Sequence, residues 1–96
     1  MSVIMILDNE VHDAAKYEEY KRAVPALIAK HGGEYLARGG EHEVLAGDWQ
    51  PTRLVIFRFP SRQAINDFNE DPDYQPLKVL RESVTTTRNL LVVEGL

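Results

Sequence analysis

The chain contains no cysteine, which excludes disulfides, thiolate metal ligands and a cysteine nucleophile. It also lacks any basic run. The nearest is the pair Lys21-Arg22, and 11 Lys and Arg stand against 15 Asp and Glu, for a formal net charge of -4. Phosphate-backbone binding needs clustered positive charge, so nucleic acid is not expected as a partner. An acidic membrane surface is disfavoured for the same reason. No stretch approaches the roughly 20 apolar residues of a membrane span. The apolar start, Val3 to Leu7, is shorter than a signal-peptide core, has no basic lead-in and runs into Asp8, so a cytoplasmic location is expected. Phosphate-cradling glycine loops, dinucleotide fingerprints and serine-nucleophile motifs are missing too. His12, His31 and His42 do not stand at metal-ligand spacing, and no metal is expected.

What is present is ordinary for a folded domain. Ninety-six residues make one domain, 1–96, and 44% hydrophobic with 27% charged residues predicts a globular chain with a modest core. Ser2 to Leu7 reads as a strand closed by the turn-favouring Asp8-Asn9. A helix follows, N-capped by Asp13, with the stripe Tyr17, Tyr20, Val24, Leu27, Ile28 and His31 at spacings of three and four. Gly32-Gly33 stops it, and Pro25 within it predicts a kink or a division into two. Glu34 to Arg38 is a second strand, expected to resume at Glu43 to Ala46 after a bend at Gly39-Gly40. Gly47 to Thr52 is turn-rich. Arg53 to Phe59 is the strongest strand and Pro60 ends it. Ser61 caps a helix carrying Ala64, Ile65 and Phe68, and Asp71-Pro72-Asp73 restarts the chain as a helix with Tyr74, Leu77, Leu80 and Val84. Thr85 to Thr87 leads into a last strand, Asn89 to Glu94. The class is α+β and the order βαββαβ, with one extra helical segment, is ferredoxin-like with a four-stranded antiparallel sheet.

Three strands are apolar on both faces. Val55, Phe57 and Phe59 oppose Leu54 and Ile56; Leu91 and Val93 oppose Leu90 and Val92; Ile4 and Ile6 oppose Val3, Met5 and Leu7. Helices cover one face of such a sheet, so the other would expose more contiguous apolar surface than a monomer tolerates. The loops read as too short to cover it. A second copy related by a two-fold axis is the simplest cover, and a homodimer through the sheet face is expected. Arg58 and Glu94 are expected at the rim of that face, paired.

The run Lys30-His31-Gly32-Gly33-Glu34-Tyr35-Leu36-Ala37-Arg38-Gly39-Gly40 resembles a bacterial family known as a domain of unknown function, DUF1330. So do Gly47-Asp48-Trp49-Gln50-Pro51-Thr52-Arg53-Leu54-Val55, Phe59-Pro60-Ser61, Asp71-Pro72-Asp73-Tyr74-Gln75 and Val92-Val93-Glu94-Gly95. The resemblance runs in order over nearly the whole chain. It implies the dimeric α/β-barrel superfamily, in which two ferredoxin-like sheets pack face to face. It carries no settled activity. Ala46 and Arg58 stand where the family pattern usually holds glutamates, which puts in doubt any chemistry those carboxylates served.

Among candidate site residues, His31 ends the inward stripe, and histidine is the residue type suited to proton transfer near neutral pH, so it is either a general acid or base or a histidine satisfied at a helix end. Arg38, before two glycines, either holds a carboxylate or phosphate or pairs with Glu41, Glu43 or Asp48. Tyr17 and Tyr20 sit on the inward stripe, where a phenol lines a pocket or fills the core. Trp49, the one tryptophan, and Tyr74 have the same two readings, ligand contact or packing. The superfamily resemblance implies monooxygenases, decarboxylases or lactone isomerases that use a barrel pocket. The expected function is therefore a cofactor-free enzyme on a small organic molecule, with His31 moving a proton, Arg38 anchoring an anion, and Tyr20 or Tyr74 orienting the substrate. The alternative is a non-catalytic small-molecule binder or structural homodimer.

Overall fold

Alternation of apolar side chains builds the sheet. In the computed structural model, which describes residues 2–96, Val3, Met5 and Leu7 of β1 (Val3–Val11) are buried on one face while Ile4 and Ile6 are half-buried on the other. Val55, Phe57 and Phe59 of β3 (Leu54–Phe59) join the first set. β1 lies centrally, antiparallel to β3 and to β4 (Thr85–Glu94), and β3 pairs on its outer side with β2 (Glu34–Arg38), giving the order β2-β3-β1-β4. Helices α1 (Ala14–Lys30), α2 (Arg62–Glu70) and α3 (Gln75–Val84) pack on the buried face through Tyr17, Tyr20, Val24, Ile28, Ile65, Phe68, Tyr74 and Val84. This is the ferredoxin-like α+β fold.

Local chemistry sets the boundaries. The Asp13 carboxylate accepts the Lys16 N–H at 3.1 Å and the Ser61 hydroxyl accepts the Ala64 N–H at 3.1 Å, each satisfying a free helix donor. At the other end of α1, Gly32 takes a φ of +77°, and its N–H and that of Gly33 return to the carbonyls of Ala29 and Ile28. Gly33 has a second reason. A Cβ there would lie 2.7 Å from the Phe59 ring, and Phe59 is the most deeply buried apolar residue at 0% exposure.

The structure departs from the sequence reading in four places. β1 does not turn at Asp8-Asn9 but continues to Val11, with a register shift at that pair; both side chains are buried, Asp8 accepting from Thr52 at 2.8 Å and Asn9 Nδ2 lying 3.5 Å from the Tyr17 hydroxyl. Glu43 to Ala46 is not a strand: residues 39–53 form one loop, folded back so that Trp49 and Thr52 bond Asp8. That loop covers the Asp8 end of the open sheet face. Pro25 does not divide α1, which is continuous. Its missing N–H leaves the Lys21 carbonyl without a helical partner, and the Arg38 guanidinium donates to that oxygen at 2.5 Å. Arg58 and Glu94 are not paired. Arg58 lies across from Ile4 and binds Glu34 at 2.8 Å, while Glu94 is in register with Val3 on the helix side.

Candidate functional site

A cavity of about 310 Å³ lies between the sheet and helices α2 and α3. It is on the helix-covered side of the sheet, the side that the inward stripe of α1 faces. Met5, Leu7, Phe57, Ile65 and Phe68 form the apolar wall, and Leu90 and Val92 of the edge strand form the rim. These last two share register with Leu7 and Met5 yet are 54% and 37% exposed, on the edge strand of the sheet. The polar part of the wall is Tyr20, Tyr74, Arg62, Arg81, Asn66 and Asn69, with no carboxylate and no histidine. In a chain of net charge -4, this wall is cationic.

The turn between α2 and α3 delivers Tyr74. Asp71 accepts the Asp73 N–H on its side chain at 2.9 Å and the Tyr74 N–H on its carbonyl at 2.9 Å, closing a tight Asx turn. Gln75 Nε2 bonds the carbonyls of Asn69 and Asp71. Tyr74 is thereby turned inward, against the Phe68 ring at 4.3 Å, and its hydroxyl meets that of Tyr20 at 2.9 Å. Burial, followed by the adjacent Tyr74 oxygen, pushes the Tyr20 phenol far above its ordinary value. Tyr20 is therefore a neutral phenol at any physiological pH. One hydroxyl of the pair donates to the other, and the second proton is left for another acceptor.

Arg81 reaches the cavity from α3. One terminal nitrogen donates to Thr87 Oγ1 at 3.2 Å, and its Nε is buried with no partner among the described residues. A buried unpaired donor of a cation is costly unless something accepts from it. Arg62, in the first turn of α2, bonds Asn66 Oδ1 at 2.7 Å.

The sequence-predicted residues divide between this cavity and its surroundings. Tyr20 and Tyr74 are brought together in its wall. His31 is outside the wall; its Nε2 lies 2.8 Å from Asp71 Oδ2, which Lys30 Nζ also contacts at 2.8 Å. Those two hydrogen bonds, with that of the Asp73 N–H, hold the Asp71 carboxyl well below the usual carboxylate range. Arg38 is at the far edge, over the Tyr35 ring at 4.6 Å and bonded to Lys21 O. Trp49 is half-exposed on loop 39–53, its Nε1 donating to Asp8 Oδ2 at 3.0 Å. Tyr17 stacks on Tyr20 with centroids 5.5 Å apart. Sequence reasoning missed Arg81, Arg62, Asn66 and Asn69. A signal existed: Arg62, Asn66 and Asn69 recur at four and three, and Arg81 falls seven residues after Tyr74, on the same helical stripes.

The profile of the family described as "Domain of unknown function (DUF1330)" matches residues 2–96. The chain belongs to the DUF1330 family. Among solved structures, this DUF1330 chain is similar to RPA0582 of Rhodopseudomonas palustris, a protein of unknown function, at 19% identity and a TM-score of 0.78, covering 99% of this chain and 82% of that one. It is similar to SnoaB of Streptomyces nogalater, a cofactor-independent oxygenase, at 13% identity and a TM-score of 0.66, covering 98% and 92%. A dimeric ferredoxin-like protein of unknown function from Thermobifida fusca is similar at 16% identity and a TM-score of 0.61, covering 97% and 88%. At these identities the likeness is one of fold. No curated protein matches the DUF1330 chain. Among the described residues no helix is long and apolar enough to cross a membrane, and no three His, Cys, Asp or Glu side chains are grouped to hold a metal ion.

Proposed function

We propose that the protein is a homodimer that binds a small, largely apolar organic molecule carrying a carbonyl or anionic oxygen in the α2–α3 cavity, and acts on it without a cofactor. The observation that carries this reading is the pairing of the Tyr20–Tyr74 hydroxyls with the unpartnered Arg81 Nε in an otherwise apolar wall. An oxygen placed there takes a neutral phenol proton and a cationic N–H together, the donor set that stabilises charge developing on an enolate or oxyanion. SnoaB supports the cofactor-free part by analogy of fold.

His31 enters through Asp71. As an acid or base it would pass a proton to the ligand; as a positioning residue it fixes the Asp71 turn that presents Tyr74. Loss of activity in His31→Ala with the ascending limb of the pH–rate profile removed supports the first role. An unchanged profile with a raised KM supports the second. The absence of histidine and carboxylate from the cavity wall favours a second reading, a non-catalytic binder of the same ligand class.

The homodimer rests on the open sheet face, where Ile4, Ile6, Ile56, Leu91 and Val93 lie together and Leu91 and Val93 are 45% and 53% exposed. Ile6→Asp at its centre is expected to give monomers in analytical ultracentrifugation.

The test of the pocket is titration with 2-naphthoate, an aromatic carboxylate, followed by fluorescence. Saturable binding at a site weakened by Arg81→Met and by Tyr74→Phe is expected. Binding indifferent to both changes would sink the assignment.

A further inference from the structure

A second, smaller cavity of about 20 Å³ lies on the other side of Tyr20, between α1 and the β2–β3 edge, and it is lined by Arg38, Arg53, Lys21, Tyr17 and Tyr35. Leu7, Tyr20 and Phe57 are walls common to both cavities. Arg58, Arg88, Lys21 and Lys30 are each bonded to a carboxylate. Among the described residues neither Arg38 nor Arg53 has one within ion-pair distance, although the chain carries 15 acids. Glu41, Glu43 and Asp48, the acids nearest Arg38 in the following loop, do not reach it.

Both guanidiniums are instead held by neutral groups. Arg38 lies over the Tyr35 ring and gives an N–H to Lys21 O. Arg53 lies over the Tyr17 ring at 5.2 Å and donates to the Tyr17 hydroxyl at 3.1 Å. Stacking and a single hydrogen bond fix each plane and leave the rest of the fork of donors open. Between them in sequence and space is Gly39, with φ +71°, where a Cβ would lie 2.6 Å from Arg53 Nε. Any side chain there would press on the Arg53 guanidinium.

We propose that Arg38 and Arg53 form an anion site for the carboxylate of a small organic acid, separate from the α2–α3 cavity. Two pre-oriented guanidiniums match a planar carboxylate through paired N–H donors. The size selects it: a cavity of about this volume admits one or two oxygens, given that a water needs roughly 10–15 Å³. A carboxylate enters by its oxygens and leaves its carbon chain at the mouth. The Lys21 ammonium adds positive potential while staying on Glu18.

Acetate, titrated against chloride at matched ionic strength, tests this by NMR of the arginine Nε–Hε and backbone amide signals. Saturable acetate shifts at Arg38, Arg53 and Gly39, not reproduced by chloride, are expected. They should weaken by about tenfold or more in the Arg38→Gln/Arg53→Gln double variant, as loss of charge-assisted pairs requires. The same shifts should persist in Arg81→Gln, which separates this site from the larger cavity. Shifts that stay linear, that chloride matches, that survive the double variant, or that vanish in Arg81→Gln would each overturn the proposal. If the double variant does not fold, Arg53→Lys decides: its ammonium keeps the charge but not the fork, so unchanged acetate affinity also overturns it.

Discussion

Two aspartates are buried, one on the sheet under loop 39–53 and one in the turn between α2 and α3, and they are held in opposite ways. Asp8 is 2% exposed and is satisfied by neutral donors: Trp49 Nε1, the N–H groups of Thr52 and Arg53, and Asn89 Nδ2. Asp71 is 6% exposed and is satisfied by the Lys30 ammonium together with His31 Nε2 and the Asp73 N–H. Both carboxylates tie irregular chain to regular structure. Asp8 fastens loop 39–53 to the sheet, and Asp71 fastens the α2–α3 turn to the end of α1. The difference lies in what each connection responds to. Neutral hydrogen bonds in a buried site are insensitive to salt, whereas Lys30, with its side chain 55% exposed, holds Asp71 through a charge that salt screens. The fixed connection is the one that holds loop 39–53, and the adjustable connection is the one that presents Tyr74.

The comparison breaks first at Asp8. Asp8→Ala strands several donors, and unfolding in urea should show a loss of about 3 kcal/mol. Asp71→Asn, which keeps hydrogen bonding but drops the charge, should lower Tm by less than Asp8→Ala. Raising salt to molar levels should narrow the gap between wild type and Asp71→Asn while leaving the cost of Asp8→Ala unchanged. An equal salt response at both sites would remove the distinction.

Acid sharpens it. Burial alone would raise the Asp8 carboxyl, but its hydrogen bonds from Thr52, Trp49, Arg53 and Asn89 outweigh that and hold it below the usual range. Asp71 is lowered too. A carboxylate depressed in the folded state contributes stability fully present above its unfolded value of about 4 and lost as pH falls toward the folded value. Stability is therefore expected to be flat from neutrality to about pH 5 and to decline below about pH 4. In Asp71→Asn the decline should be shallower. Glu10, partly exposed and lowered by its pairing with Arg88, adds little to this curve. The smallest effect expected is that of Tyr74→Phe, about 1 kcal/mol by thermal unfolding, because it removes one hydroxyl from a pair whose rings stay packed.

The apolar alternation of β1 and β3 and the caps at Asp13 and Ser61 made the sheet and two helix starts legible, since these depend on neighbours in sequence. Asp8-Asn9 was misread because its turn preference is local, whereas its partners Trp49, Thr52 and Asn89 return from far along the chain. Glu43 to Ala46 has strand-like residues but no strand to pair with, and only the folded loop reveals that. The inward direction of His31 was readable from the helical period; its partner Asp71 was not, lying 40 residues on. Arg81 and Asn66 look like solvent-facing polar residues until α2 and α3 are placed against the sheet. The candidate site was thus half visible, through its tyrosines, and half hidden in polar residues whose surroundings are tertiary.

Pro25 makes α1 depend on the sheet edge in a way that changes how substitutions combine. The Lys21 carbonyl it releases is taken by Arg38, so a break in the helix ladder becomes a pin that sets where α1 lies along β2. Replacing Pro25 with alanine would let the helix close its own bond and make Arg38 dispensable to it; replacing Arg38 with Pro25 in place leaves a bare carbonyl. The two positions are an epistatic pair, and Arg38 can be exchanged at low cost only in a chain that has first lost its proline.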